Sequence, residues 1–130
     1  MVHRILQPAD WTKPKGYANG VEASGKQIFV GGQIGWDASQ SFTSDDFVGQ
    51  ARQALANIVA ILAEAKAGPE HLVRLTWYVV DMDEYYTCQR ELGAAYREII
   101  GPHYPAMSLF EVVRLAEPRA RVEIEATAVV

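Results

Sequence analysis

Apolar residues recur along this chain at two different periods. Phe47, Ala51, Leu55, Ile58, Leu62 and Ala65 follow one another at three- and four-residue intervals, which aligns their side chains on one face of a helix over 45–67. Thr43 with Asp46 three residues later predicts a capping box at its start, and Gly68-Pro69 predicts its stop. Tyr85, Gln89, Leu92, Tyr96 and Ile99 trace a second helix, opened by a capping pattern at Asp81 and Glu84 and ended by Gly101-Pro102.

Elsewhere the period falls to two. HLVRLTWYVV (71–80) alternates and is rich in β-branched and aromatic residues, which predicts a strand with Val73, Leu75, Trp77 and Val79 on one face. In RVEIEATAVV (121–130), Val122, Ile124, Ala126 and Ala128 point one way and Glu123, Glu125 and Thr127 the other. HYPAMSLFEVVRL (103–115) enters a strand after Pro105, because the residue before a proline is pushed into extended geometry. VHRIL (2–6) is a short first strand, and 19–34 reads as a hairpin turned at Ser24-Gly25-Lys26.

The resulting order is β, β, β, α, β, α, β, β, an α/β (α+β) arrangement in one domain over 1–130. Two helices cover one face of such a sheet. Val80, Met107, Leu109 and Val113 place apolar side chains on the other face as well, so identical subunits in a closed symmetric oligomer are expected to cover it.

Composition narrows the function. With 49% hydrophobic and 22% charged residues the chain is an ordinary globular protein, and its net charge of -4 with scattered bases argues against a nucleic-acid partner. The start MVHRILQPADW lacks a secretory pattern and no apolar run reaches membrane-spanning length, so the expectation is a soluble cytoplasmic protein without a membrane partner. A single cysteine, Cys88, excludes a disulfide framework and fits a reducing compartment. Neither it nor His3, His71 and His103 has metal-ligand spacing, so no metal is expected.

Conventional catalytic motifs are equally scarce. Gly31-Gly32 follows a strand but lacks the spacing of a dinucleotide site, and no serine lies in a nucleophile elbow. Tyr17 sits in a glycine-flanked loop, KGYANG, where packing is its ordinary role. Glu123 and Glu125 form a solvated face by pattern alone, but a neighbouring subunit over that face would partly desolvate a carboxylate there and fit it to hold or activate water.

Taken together, GYANGV, IFVGGQIGWD, QARQALANI, VRLTWYVVDMDEY, YPAMS and VEIEATAV resemble the RidA family, also called YjgF/YER057c/UK114, from about residue 15 to 129. The resemblance implies a chorismate-mutase-like fold with a six-stranded mixed sheet and two helices on one face. It also implies a homotrimer with a central barrel and pockets between subunits. Family members hydrolyse small reactive enamines and imines to a carbonyl compound plus ammonia, without cofactor. Glu123 matches the family's water-holding glutamate and Tyr17 its pocket tyrosine, which makes them the candidate catalytic residues.

Gly31, Gln89, Met107, Leu109 and Trp36 are the candidate substrate-binding residues, and they depart from the family pattern. Gly31 replaces a common serine, Gln89 an asparagine and Leu109 a cysteine. Most consequential is Met107, which stands in P-A-M-S where the family has an arginine that grips a substrate carboxylate bidentately. Its loss removes a contact worth about 1.5–3 kcal/mol, which points toward neutral or apolar imines. Lys15 and Arg114 are the cations considered for rescue, and Arg114 lies about 23 Å along the strand from Met107. The competing class is a non-catalytic trimer that binds a small ligand. Older family names that speak of ribonuclease or translation inhibition suit the acidic balance least.

Overall fold

The computed structural model describes residues 2–130. In chain order the elements are β1 (Arg4–Leu6), β2 (Gly20–Glu22), β3 (Gln27–Gln33), α1 (Phe47–Glu64), β4 (Leu72–Val79), α2 (Met82–Thr87), α3 (Gln89–Ile99), β5 (Ala106–Glu111) and β6 (Val122–Val129). All six expected strands form, but not in one sheet: β1 and β2 make an antiparallel ribbon, and β3-β6-β4-β5 make a mixed four-stranded sheet. The expected six-stranded sheet is corrected accordingly, as is the hairpin at Ser24-Gly25-Lys26. Lys26 exchanges backbone hydrogen bonds of 2.8 and 2.9 Å with Val130, so the chain leaves the turn pairing with β6, not with β2. Gly25, at φ +140°, makes this possible, since a Cβ there would stand 2.6 Å from the Val130 carbonyl oxygen.

Helix α1 buries Phe47, Ala51, Ala54, Leu55, Ile58 and Leu62 against the sheet, which confirms the stripe except at Ala65. Its ends differ from expectation. Asp46, not Thr43, is the N-cap, its carboxylate accepting from the Gly49 N–H at 3.0 Å. The C-terminus closes before Gly68-Pro69: Lys66 adopts φ 56°, and the Lys66 and Ala67 N–H groups donate to the carbonyls of Ala63 and Leu62. This pair of bonds is a Schellman closure, with lysine in the left-handed position that glycine usually takes.

Gln50 shares the buried face although it is polar. Its amide donates to the Ser44 and Arg119 carbonyls and its oxygen accepts from the Arg121 N–H at 2.7 Å, so no buried polar atom of that side chain is left unpaired. Gly35 packs against it so closely that a Cβ would lie 2.5 Å from the Gln50 Cβ.

In β4 the core face is Leu72, Leu75, Trp77 and Val79. The register slips between Leu72 and Arg74 against β6, and this bulge puts Leu72 in the core where strict alternation predicts Val73. The second predicted helix is two helices that meet at Cys88, with Asp81 capping α2 through the Asp83 N–H. Glu84 does not complete a capping box there, because its carboxylate holds Arg121 at 2.6 Å. Helices and core occupy one face of the sheet as expected. Met107 and Leu109 also pack on that side, which corrects their assignment to the outer face; Phe29 and Phe110, on the outer face, are exposed. No helix among the described residues is long and apolar enough to cross a membrane.

Candidate functional site

The crossover from β4 through α2 and α3 to β5 makes β5 the parallel edge strand beside β4. A cleft of about 450 Å3 lies between β5, α3 and the segment at residues 15–17. Its floor is the buried Trp77, Leu92 and Tyr96, and Met107 and Leu109 form the half-buried strand wall. Trp77 pairs with Leu109 and Leu75 with Met107 across the parallel ladder, so the two wall residues point to the core side.

Tyr17 reaches this place through a backbone clamp. Ala18 bridges Ala106, and its N–H donates to the Pro105 carbonyl at 3.0 Å, which holds the loop at the entry of β5. From the other side α3 contributes Gln89, Leu92, Gly93, Tyr96 and Arg97, spaced by three and four residues and therefore on one helix face. Tyr96 and Tyr104 stack with ring centroids 5.2 Å apart, and the Tyr96 hydroxyl donates to the His103 carbonyl. Burial, reinforced by Tyr104, pushes the Tyr96 phenol well above the usual range, so it stays neutral and structural at physiological pH.

The structure therefore brings together four of the seven expected site residues: Tyr17, Gln89, Met107 and Leu109. It places the other three elsewhere within the single chain. Glu123 pairs with Tyr78 and alternates with the core residues Val122 and Ile124, which puts it on the outer face of the sheet. There its carboxylate lies over Gly32, in the space that a Cβ at that position would take. Gly31 is on the same face, beside a second hollow of about 350 Å3 lined also by Arg74, Thr76 and Glu125. The Tyr78 hydroxyl donates to Glu125 at 3.0 Å, and that bond raises its pKa. Trp36 stands apart from both hollows, against Phe42 at 6.0 Å, with its carbonyl accepting from Asn57.

Sequence reasoning missed Arg97, Trp77 and Tyr104 as cleft residues. Arg97 was legible in principle, since it follows Gln89 by eight residues on the same helix face. Lys15, weighed as a rescuing cation, does line the cleft, whereas Arg114 does not.

The family model described as Endoribonuclease L-PSP matches residues 11–130. The chain belongs to the RidA (YjgF/YER057c/UK114) family. A Salmonella typhimurium relative called 2-iminobutanoate/2-iminopropanoate deaminase is 34% identical over 116 residues, covering 87% of this chain and 86% of that protein. A RutC family protein of Synechocystis is 33% identical over 99% of this chain and 98% of its own. Among solved structures, a Yersinia pestis protein of the conserved Rid family, of unknown function, superposes with a TM-score of 0.83 at 33% identity over the whole of both chains. The YjgF gene product of Escherichia coli gives 0.70 at 33% identity, covering 87% of each. The mixed α+β fold of this RidA-family chain thus matches structures of its relatives, and Tyr17, Gln89, Met107 and Leu109 occupy one hollow of that fold.

Proposed function

We propose that this RidA-family chain hydrolyses a small reactive imine, or the enamine that tautomerises to it, to a carbonyl compound and ammonia, with no cofactor. The observation that carries this reading is the cleft itself: Tyr17, Gln89, Met107 and Leu109 come from a loop, a helix and an edge strand and converge on one hollow of about 450 Å3. Relatives at 34% identity carry the name of an imine deaminase, which supports the same chemistry.

The reaction asks little of the protein. Water adds to the electrophilic imine carbon, a proton moves from the attacking oxygen to nitrogen, and the tetrahedral adduct expels ammonia as the carbonyl forms. Glu123 is the proposed carboxylate that holds the water. Because it lies on the outer sheet face, it meets a cleft only in an assembly, and the reading includes a homotrimer in which one subunit's Glu123 and Gly31 close the Met107 cleft of the next. Covering that face would also bury Phe29, which is 73% exposed in the single chain.

Met107 shifts the substrate preference. A thioether offers dispersion contacts to an apolar group and nothing to a carboxylate on the carbon next to the imine. Purified protein is to be mixed with freshly generated 2-iminobutanoate and with an uncharged alkyl imine while ammonia release is followed. Faster release from the uncharged compound, lost in Glu123→Gln, supports the reading. Release confined to 2-iminobutanoate would sink the altered preference, and no acceleration of either would sink the hydrolase. The same replacement at position 107 favours one competing role, a trimer that binds a small ligand without turning it over. Tight ligand binding without turnover, unchanged in Glu123→Gln, is the signature of that role.

A further inference from the structure

The lining of the cleft has a charge balance opposite to that of the whole chain. Acids outnumber bases 16 to 12 in the sequence, yet the residues that the chain itself places around this hollow include Lys15 and Arg97 and not one Asp or Glu. Arg97 forms no ion pair among the described residues; the nearby acid Glu98 is held by Arg52 at 2.6 Å. Its guanidinium lies back along α3 over Gly93, where a Cβ would stand 3.3 Å from Nη1, so the absence of a side chain at 93 leaves it room beside the cleft.

Depth separates the two kinds of group. Trp77, Leu92 and Tyr96 are buried at the floor and Met107 is half-buried, whereas Lys15 and Arg97 are exposed at the rim. Such a hollow suits a ligand with an apolar body and an anionic end. A planar guanidinium without a protein partner matches a carboxylate or phosphate through paired N–H donors, and an apolar floor beneath it weakens the competition from water.

We propose that Arg97, assisted by Lys15, is the specificity-determining anion site of this cleft, and that its ligands carry a carboxylate or phosphate at the mouth while their apolar part rests on Met107 and Trp77. This rests on the cleft assigned above, where Met107 disfavours a carboxylate next to the imine carbon, and adds that an anionic group at the far end of a longer ligand is held at the rim.

The probes are benzoate, its neutral counterpart benzamide, and phenyl phosphate, titrated against wild-type protein, Arg97→Gln, Arg97→Lys and, as a control on the same helix outside the cleft, Arg90→Gln. The expected result is that wild-type binds benzoate about tenfold more tightly than benzamide. Arg97→Gln removes that preference, Arg97→Lys restores part of it, and Arg90→Gln leaves it intact. The phenyl phosphate arm shows which anion fits the site better. Equal affinity for benzoate and benzamide, failure of wild-type to bind any of the three, or a preference that survives Arg97→Gln would each overturn the proposal. Turnover of imines is read separately. Arg97-dependent benzoate binding without ammonia release leaves the anion site standing and sinks the hydrolase, and release with no benzoate preference does the reverse.

Discussion

Single side chains decide what this cleft can hold, and Met107 is the first of them. It packs against the core and faces the hollow, so an arginine there would extend its fork into the same space. Met107→Arg is expected to raise kcat/KM for 2-iminobutanoate by about tenfold or more, the equivalent of one charge-assisted contact, and to lower it for uncharged imines. Steady-state ammonia release on both substrates checks this. Tyr96 carries a different prediction. Its folded pKa is raised above the unfolded value, so its contribution is fully present below the ordinary phenol pKa and is lost as pH rises past about 10. Tyr96→Phe should cost about 1 kcal/mol at neutral pH by removing the bond to the His103 carbonyl, and should flatten the alkaline fall in stability. Urea midpoints at neutral and alkaline pH decide it. Tyr17, Gln89, Met107 and Leu109 were legible because family motifs mark them, whereas Arg97 lies outside any motif, and its spacing from Gln89 on α3 gains meaning only when α3 is laid over β5.

At the level of elements, periodicity found what packs and missed what bends. The α1 stripe and the alternation of β6 both follow from burial on one side of an element, which leaves a direct trace in the sequence. The bulge at Val73 leaves none, because one extra residue in a ladder changes parity without changing composition. Pairing partners are equally silent: the turn at Ser24-Gly25-Lys26 has hairpin composition, but only the tertiary position of Val130 sends the next residues to β6. The C-terminus of α1 was misread for a conformational reason. Lys66 occupies a left-handed backbone at φ 56°, which costs a lysine more than a glycine. Lys66→Gly is therefore expected to stabilise the fold by about 1 kcal/mol, seen as a higher denaturation midpoint at unchanged slope. Gly35→Ala should act in the opposite direction by about 1–3 kcal/mol, because its Cβ would meet the backbone and side chain of Gln50 at 2.5–2.7 Å and the helix must shift.

For the whole molecule the outer sheet face is what connects stability to chemistry. Phe29 is 73% and Phe110 52% exposed, and Phe110 stacks on Tyr78 at 6.2 Å, so one side of the sheet presents aromatic surface around the carboxylates of Glu123 and Glu125. Burying one such phenylalanine contributes about 1.5–3 kcal/mol. In a closed ring each substitution is repeated at every interface, so a charge on this face should disrupt assembly far more than it perturbs the single fold. Wild-type protein is expected to have the mass of three chains in light scattering, and Phe29→Glu to fall toward the mass of one while keeping its circular dichroism. If neighbouring subunits supply Glu123 to each cleft, imine turnover should disappear together with the trimer, while benzoate, held by Arg97 within a single chain, should still bind the monomer. A monomeric variant that retained full turnover would show that the chemistry needs no second subunit, and the role proposed for Glu123 would go with it.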